Sequence, residues 1–158
     1  MFGGLAQGAA PALLGAAGVP VPEQVLWRPG TCDAPRNVKR LVAAGPVVAK
    51  PAADGSSMSV QRVDSFSQLA RVATEVHSGQ SELLVKPLLP GREFTVAVVG
   101  DQVLPVVEIE LATPVFDDTA KYQPGAVGEV CPARISDDLT SRLQNLALRA
   151  HKALGFAQ

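Results

Sequence analysis

Apolar positions in this chain change period several times, and each change marks an element. Pro46–Lys50 is a short apolar run ending in a lysine, the pattern of a buried strand. Gln61-Arg62-Val63 has strand character and is expected to pair beside it. Ser65-Phe66-Ser67-Gln68 fits a capping box, after which Phe66, Leu69, Val72, Ala73 and Val76 recur at helical spacing. Gly79 is expected to end that helix. Glu82–Lys86 reads as a strand. Phe94–Val99 and Gln102–Leu111 read as two more, joined by a tight hairpin at Gly100-Asp101. Ser136 is the expected cap of a last helix, with Asp137 and Asp138 favourable in its first turn. Leu139, Leu143, Leu146, Ala150 and Leu154 line one face of it, and Gly155 stops it. Near the start, Ala9–Ala17 is a weak helix, interrupted by Pro11 and closed by Gly18. Val19–Trp27 is extended, because Pro20 and Pro22 bar a helix. Pro29–Asn37 and Ala112–Ala133 are loops. The second is long enough to suggest a functional role.

Composition narrows the class. The chain has 158 residues, 47% hydrophobic and only 4% aromatic, with a net charge of −1. That suits a globular mixture of helix and sheet with an aliphatic core. The charge balance gives no nucleic-acid footprint, and no apolar run approaches membrane-spanning length. The Gly/Ala/Leu-rich start, Met1–Gly18, lacks the basic region of a secretion signal. Cytoplasmic location is the default. Cys32 and Cys131 lack metal-ligand spacing and read as free thiols in a reducing compartment. His77 and His151 sit late in helical patterns and read as surface residues.

The candidate chemistry is concentrated at Pro46–Met58, P-V-V-A-K-P-A-A-D-G-S-S-M. A strand delivers Lys50 toward a turn holding Gly55, Ser56 and Ser57. Glycine lets backbone N–H groups approach an anion, the serines add hydroxyl donors, and lysine supplies a point charge. The bland alternative is a snorkelling lysine followed by a serine turn. The loop is not a Walker A motif, and the chain has no G-x-S-x-G nucleophile elbow.

Other segments follow in order: Gly91-Arg92-Glu93-Phe94-Thr95-Val96, Leu104-Pro105-Val106-Val107-Glu108-Ile109, Ala120-Lys121-Tyr122, Cys131-Pro132-Ala133, and the closing Leu146–Ala150 with Leu154-Gly155. With K-P-x-x-x-G-S-S, this series resembles the D-alanine–D-alanine ligases of the ATP-grasp superfamily, from about Gly8 to the C-terminus. The resemblance implies an α+β, ATP-grasp-like fold: a central lobe and the first part of a C-terminal lobe. It implies a remnant linker or helix at 1–18, the central lobe at 19–87, and a partial C-terminal lobe at 88–158 with a mobile loop at 112–134. It also implies ATP and D-alanine as ligands, for peptidoglycan precursor synthesis.

Residue by residue, Lys50 matches the lysine that contacts ATP phosphates. Gly55, Ser56 and Ser57 match the loop that closes over them, and Ser56 also orients the active-site network. Leu89 falls where a backbone N–H meets adenine. Glu93 matches the carboxylate that accepts the ribose hydroxyls; it could instead pair with Arg92 or cap its strand. Lys121 and Tyr122 match the mobile cover loop, where the lysine meets the phosphoryl group and the tyrosine favours addition of D-alanine over D-lactate.

The departures carry expectations too. A family lysine aligns with Ala6-Gln7, and an acidic residue of the adenine hinge aligns with Lys86. Lysine only donates, so it cannot accept from the adenine amino group. The family continues past Gln158 with residues that bind magnesium, so magnesium ligands are expected to be absent from this chain, and turnover alone is not expected. Missing strands would leave the Phe94–Leu111 hairpin with a bare edge, which predicts a homo-oligomer or a complementing chain. The alternatives are a noncatalytic nucleotide-binding module and an oligomeric interaction module that has kept the fold.

Overall fold

The computed structural model describes residues 9–29, 34–52, 60–76, 82–111 and 127–155. These fall into two compact units. One contains residues 22–90 together with Leu111; the other contains 9–21, 91–110 and 127–155.

The first unit is a four-stranded antiparallel sheet with two helices packed on one face. Its strands are β1 (Val25–Trp27), β2 (Val47–Pro51), β3 (Gln61–Val63) and β4 (Leu83–Pro87), in the spatial order β1-β4-β2-β3. The helices that cover it are α2 (Arg36–Ala44) and α3 (Phe66–Val76); helix α1 belongs to the other unit and is described below. Alternation decides which side chains meet them. Val47 and Ala49 on β2 point inward with Val63 on β3 and Leu83 and Val85 on β4, all at 0% exposure. Val25 and Trp27 extend the same face. Val38 and Leu41 of α2, and Leu69, Val72 and Ala73 of α3, complete this core. Burying each of the larger aliphatic side chains contributes about 1.5–3 kcal/mol.

The start of α3 is built as the capping pattern requires. Ser65 Oγ accepts from the Gln68 backbone N–H at 3.3 Å. The return bond differs by one residue: Gln68 Oε1 accepts from the N–H of Asp64, not Ser65, at 2.7 Å. Gly79 lies outside the described residues. Helix α2 has no counterpart among the elements expected from the pattern, which extended the preceding loop to Asn37. It begins at Arg36 after Pro35, and the Asn37 side chain accepts from the Val38 N–H at 3.0 Å. With only Val38, Leu41 and the partly buried Val42 on its inner side, its periodic signal is short.

In the second unit, β5 (Glu93–Thr95), β8 (Val107–Leu111) and β9 (Val127–Val130) form a three-stranded sheet with β8 in the middle. Strands β6 (Val98–Val99) and β7 (Gln102–Val103) form the hairpin, with Gly100 at φ +58 supplying the left-handed turn residue. The two long strands expected here are therefore each broken in two. Pro105 has no N–H to donate to a ladder, and the Leu104 N–H bonds Ala97 O at 2.9 Å where the hairpin ends. The expected loop at Ala112–Ala133 also gives way at its end to β9; residues 112–126 lie outside the described set.

Helix α1 (Ala9–Ala16) holds Pro11 within its first turn, where a missing N–H costs no intrahelical bond, so the helix is not interrupted. It closes at Gly18 (φ +68), with Val19 N bonded to Leu14 O and Gly18 N to Gly15 O, both at 2.9 Å, a Schellman arrangement. Helix α4 (Asp137–Ala153) packs against α1 and the hairpin. Ser136 caps it by accepting from the Leu139 N–H at 3.3 Å. Leu139, Leu143, Leu146, Ala150 and Leu154 are all half-buried, and no residue of α4 is fully buried.

Candidate functional site

Lys50 is the fourth residue of β2, and the β2–β4 register fixes its surroundings. Lys50 faces Leu84 and Val48 faces Lys86. Because alternate residues share a face, Val48, Lys50, Leu84 and Lys86 stand together on the side of the sheet away from α2 and α3. Leu26, opposite Leu84, continues that face on β1 and is 47% exposed. Arg62, opposite Val48, continues it on β3. The sheet is thus two-sided: dry against the helices, and apolar with cations on the other side.

Glu23, Asp64 and Glu82 of this unit are engaged with arginines. Asp64 accepts two bonds from Arg62, at 2.9 and 3.0 Å, and Glu82 accepts from Arg28 at 2.9 Å. Among the described residues, neither Lys50 nor Lys86 has a carboxylate within ion-pair distance. Burial, and then the positive charge of Lys50, hold the Lys86 pKa below its ordinary value. The chain then leaves β4, with the Leu88 N–H bonded to Pro46 O at 2.9 Å and Leu89 exposed.

Glu93 belongs to the other unit, at the first position of β5 and opposite Ile109. It is exposed, and it does not pair with Arg92. The Arg92 guanidinium is committed to Glu108 instead: Nε donates to Oε1 and Nη2 to Oε2, each at 2.6 Å. Nη2 also reaches the carbonyl of Arg134 at 3.2 Å, and the guanidinium lies 5.1 Å from the Phe94 ring centroid. The Glu108 side chain is only 10% exposed. Its bonds from Arg92 hold its carboxyl below the ordinary carboxylate range, helped by the charges of Arg92 and Arg134. This pair ties β5 to β8 and leaves Glu93 without an ion-pair partner among the described residues.

Three of the expected site residues, Lys50, Leu89 and Glu93, are therefore described. Lys50 and Leu89 share one unit and Glu93 lies in the other. Gly55, Ser56, Ser57, Lys121 and Tyr122 lie outside the described residues. Sequence inspection did not place Lys86 beside Lys50. The signal was present, since Lys50 and Lys86 each close a short apolar run, but the antiparallel register that makes them neighbours is not local information.

Comparison with known proteins places this arrangement. Residues 13–158 match the family model described as the D-ala D-ala ligase C-terminus. The chain belongs to the D-alanine–D-alanine ligase family. It is 38% identical over 147 residues to the D-alanine–D-alanine ligase of Desulforudis audaxviator, an alignment covering 90% of this chain and 48% of that protein. The ligase of Halalkalibacterium halodurans is 36% identical over 143 residues, covering 88% and 46%. The chain thus spans about half the length of the curated relatives it matches. Among solved structures, the VanG D-Ala:D-Ser ligase from Enterococcus faecalis superposes with a TM-score of 0.77 at 30% identity, covering 96% of this chain and 45% of that one. A D-alanine–D-alanine ligase from Bacillus anthracis complexed with ATP shares the fold, with a TM-score of 0.73 at 20% identity over 94% of this chain and 45% of the other. The mixed helix and antiparallel sheet architecture is that of the ATP-grasp ligases. Among the described residues, no helix is long and apolar enough to cross a membrane.

Proposed function

We propose that this chain carries the nucleotide-handling part of an ATP-dependent D-alanine–D-alanine ligase, within a central lobe at 19–87 and the first part of a C-terminal lobe at 88–158. The observation that carries this reading is the uncompensated cationic face around Lys50, in a chain that matches the ligase family over residues 13–158. A polyphosphate fits such a face, because its oxygens supply the negative charge that the described side chains do not.

In this reading Lys50 holds the phosphates of ATP, and Gly55, Ser56 and Ser57 close over them. Ser56 also orients neighbouring groups. The backbone N–H of Leu89 receives the adenine edge. Glu93, left unpaired by the Arg92–Glu108 bond, accepts the ribose hydroxyls; an ionised carboxylate can accept both. Lys121 stabilises charge on the transferring phosphoryl group, and Tyr122 stands beside the incoming D-alanine. ATP, when bound, supplies the phosphoryl group that activates a carboxylate for attack by an amine. The chain's residues bind, orient and neutralise charge, which is most of the work in phosphoryl transfer. Among the described residues, no three acidic, histidine or cysteine side chains group to hold a metal ion. Dipeptide-forming turnover and D-alanine binding belong to the ligase as a whole, in the cytoplasm where the peptidoglycan precursor is made.

Titration calorimetry with ATP and magnesium tests the reading. Binding by the wild-type chain and its loss in Lys50→Ala are expected. No binding by a folded wild-type chain would overturn the reading. An oligomer or a complementing chain is also proposed, since β5 is an edge among the described strands. Light scattering showing a single monomeric species would count against a homo-oligomer.

A further inference from the structure

We propose that Glu108 is a positioning residue of the nucleotide site: through Arg92 it fixes the face and register of Glu93, the carboxylate that accepts the ribose hydroxyls. This deepens the nucleotide reading and rests on it for the role of Glu93.

The need for such a device lies in β5 itself. The strand has three residues and lies at the edge of its sheet. Glu93 and Thr95 are exposed, and Phe94 is only half-buried. Burial therefore sets the register of β5 weakly, and a slip of one residue would turn Glu93 to the opposite face.

Polar geometry supplies what burial does not. Phe94 stands opposite Glu108, and Glu93 opposite Ile109. Directly opposed residues share a face, and neighbours along a strand alternate. Arg92, just before β5, turns its guanidinium to the Phe94–Glu108 face. There it lies 5.1 Å from the Phe94 ring centroid and donates twice to Glu108, at 2.6 Å each. A third bond goes to Arg134 O at 3.2 Å, and the neighbouring Ala133 N–H is itself bonded to Val106 O at 2.8 Å. The planar fork meets both carboxylate oxygens in one orientation, so the pair sets direction as well as proximity. With Arg92 held on this face, Glu93 is left on the other.

Glu108 suits the part of anchor. It belongs to β8, the middle strand, which is paired on both sides. Among the described residues it is the one charged or polar residue that is buried. A buried carboxylate is costly unless well partnered, and an apolar cross-strand pair would join β5 to β8 without that cost. An apolar pair, being non-directional, would not orient the residue next to Arg92.

The experiment is calorimetric titration of the full chain with ATP and with 2′,3′-dideoxy-ATP, both with magnesium. The proteins are wild type, Glu93→Gln, Arg92→Met, Glu108→Gln and the Arg92→Met/Glu108→Gln double variant. Thermal melts of each unliganded protein set a titration temperature at which all are folded. Wild type is expected to prefer ATP about tenfold, the scale of one charge-assisted hydrogen bond, and Glu93→Gln to lose that preference. Glu108→Gln and Arg92→Met should each lose most of it while binding the dideoxy nucleotide as wild type does. The double variant should fall no further than the single ones, because the two residues act as one clamp. A merely structural role would weaken both nucleotides alike and leave their ratio unchanged, and that result overturns the inference. If Glu108→Gln does not fold, Arg92→Met carries the test, since that side chain is half exposed. If Glu93→Gln abolishes the preference while the Arg92 and Glu108 variants keep it, the inference falls and the nucleotide reading stands. A wild type that binds both nucleotides equally would remove the ribose role of Glu93, and the inference with it, but not the phosphate role of Lys50. No binding of ATP by folded wild type would sink the nucleotide reading and the inference together.

Discussion

The two units are held together by different means. The first has a core of apolar side chains from both helices and all four strands, many with no exposure at all. In the second, Val106 and Glu108 are the only buried residues among those described, and the 17-residue helix α4 contributes none. Its order rests more on polar links. Arg92 joins β5 to Glu108 on β8, Gln144 Nε2 donates to Leu104 O at 3.1 Å, and Arg149 Nη2 donates to Gly18 O at 2.8 Å. A core held by area is insensitive to pH and salt. One held by charged hydrogen bonds is sensitive to both.

That contrast can be broken most strongly in the first core. Leu69→Ala should cost about 2–5 kcal/mol, because a fully buried leucine leaves a cavity. Denaturant melts followed by Trp27 fluorescence, which reports from the same core, would check it. A smaller loss, about 1 kcal/mol, is expected for Ser136→Ala, which removes the cap of α4. Hydrogen exchange should show it as faster exchange in the first turn of α4, with β2 and β4 unchanged.

The pH dependence sharpens the contrast further. Glu108 titrates below its ordinary value of 4.5 in the folded chain. Its contribution is therefore present above the unfolded value and is lost as pH falls through the folded one. Acid unfolding should start in the second unit, and Glu108→Gln should flatten that part of the stability profile. The same acid limb in wild type and Glu108→Gln would refute this account. Smallest of all should be Arg142→Ala. Its contact with Asp138 is 3.9 Å long between two exposed side chains, and such pairs are worth about 0–1 kcal/mol. A melting temperature indistinguishable from wild type is expected.

The contrast also explains how much of the molecule could be read from its sequence. Strands β2, β3 and β4, the capped helix α3 and the hairpin at Gly100 all carry strong local signals: alternation, a serine cap, a glycine turn. Helix α4 was equally plain from Ser136 and its leucine spacing. Helix α2 was missed because three apolar residues after a proline make too short a period. The breaks around Pro105 follow from which strand each half pairs with, and strand β9 from a partner on β8; both are set by distant residues. In the site, Lys50 and Glu93 could be picked out from local motifs. The commitment of Arg92 to Glu108, sixteen residues away, could not. The same holds for the position of Lys86 beside Lys50.

The bond from Arg149 to Gly18 spans 131 positions. All the strands and helices of the first unit come from the single stretch 22–90, whereas the second collects its parts from 9–21, 91–110 and 127–155. During synthesis the first unit is complete in sequence once residue 90 has cleared the ribosome. The α1–α4 contact must wait until Asp137–Ala153 has emerged, and closing so long a loop is entropically slow to reward. Folding order is thus written into the chain connectivity: the apolar-cored unit forms early and by itself. Helix α1 waits for its partner, helix α4.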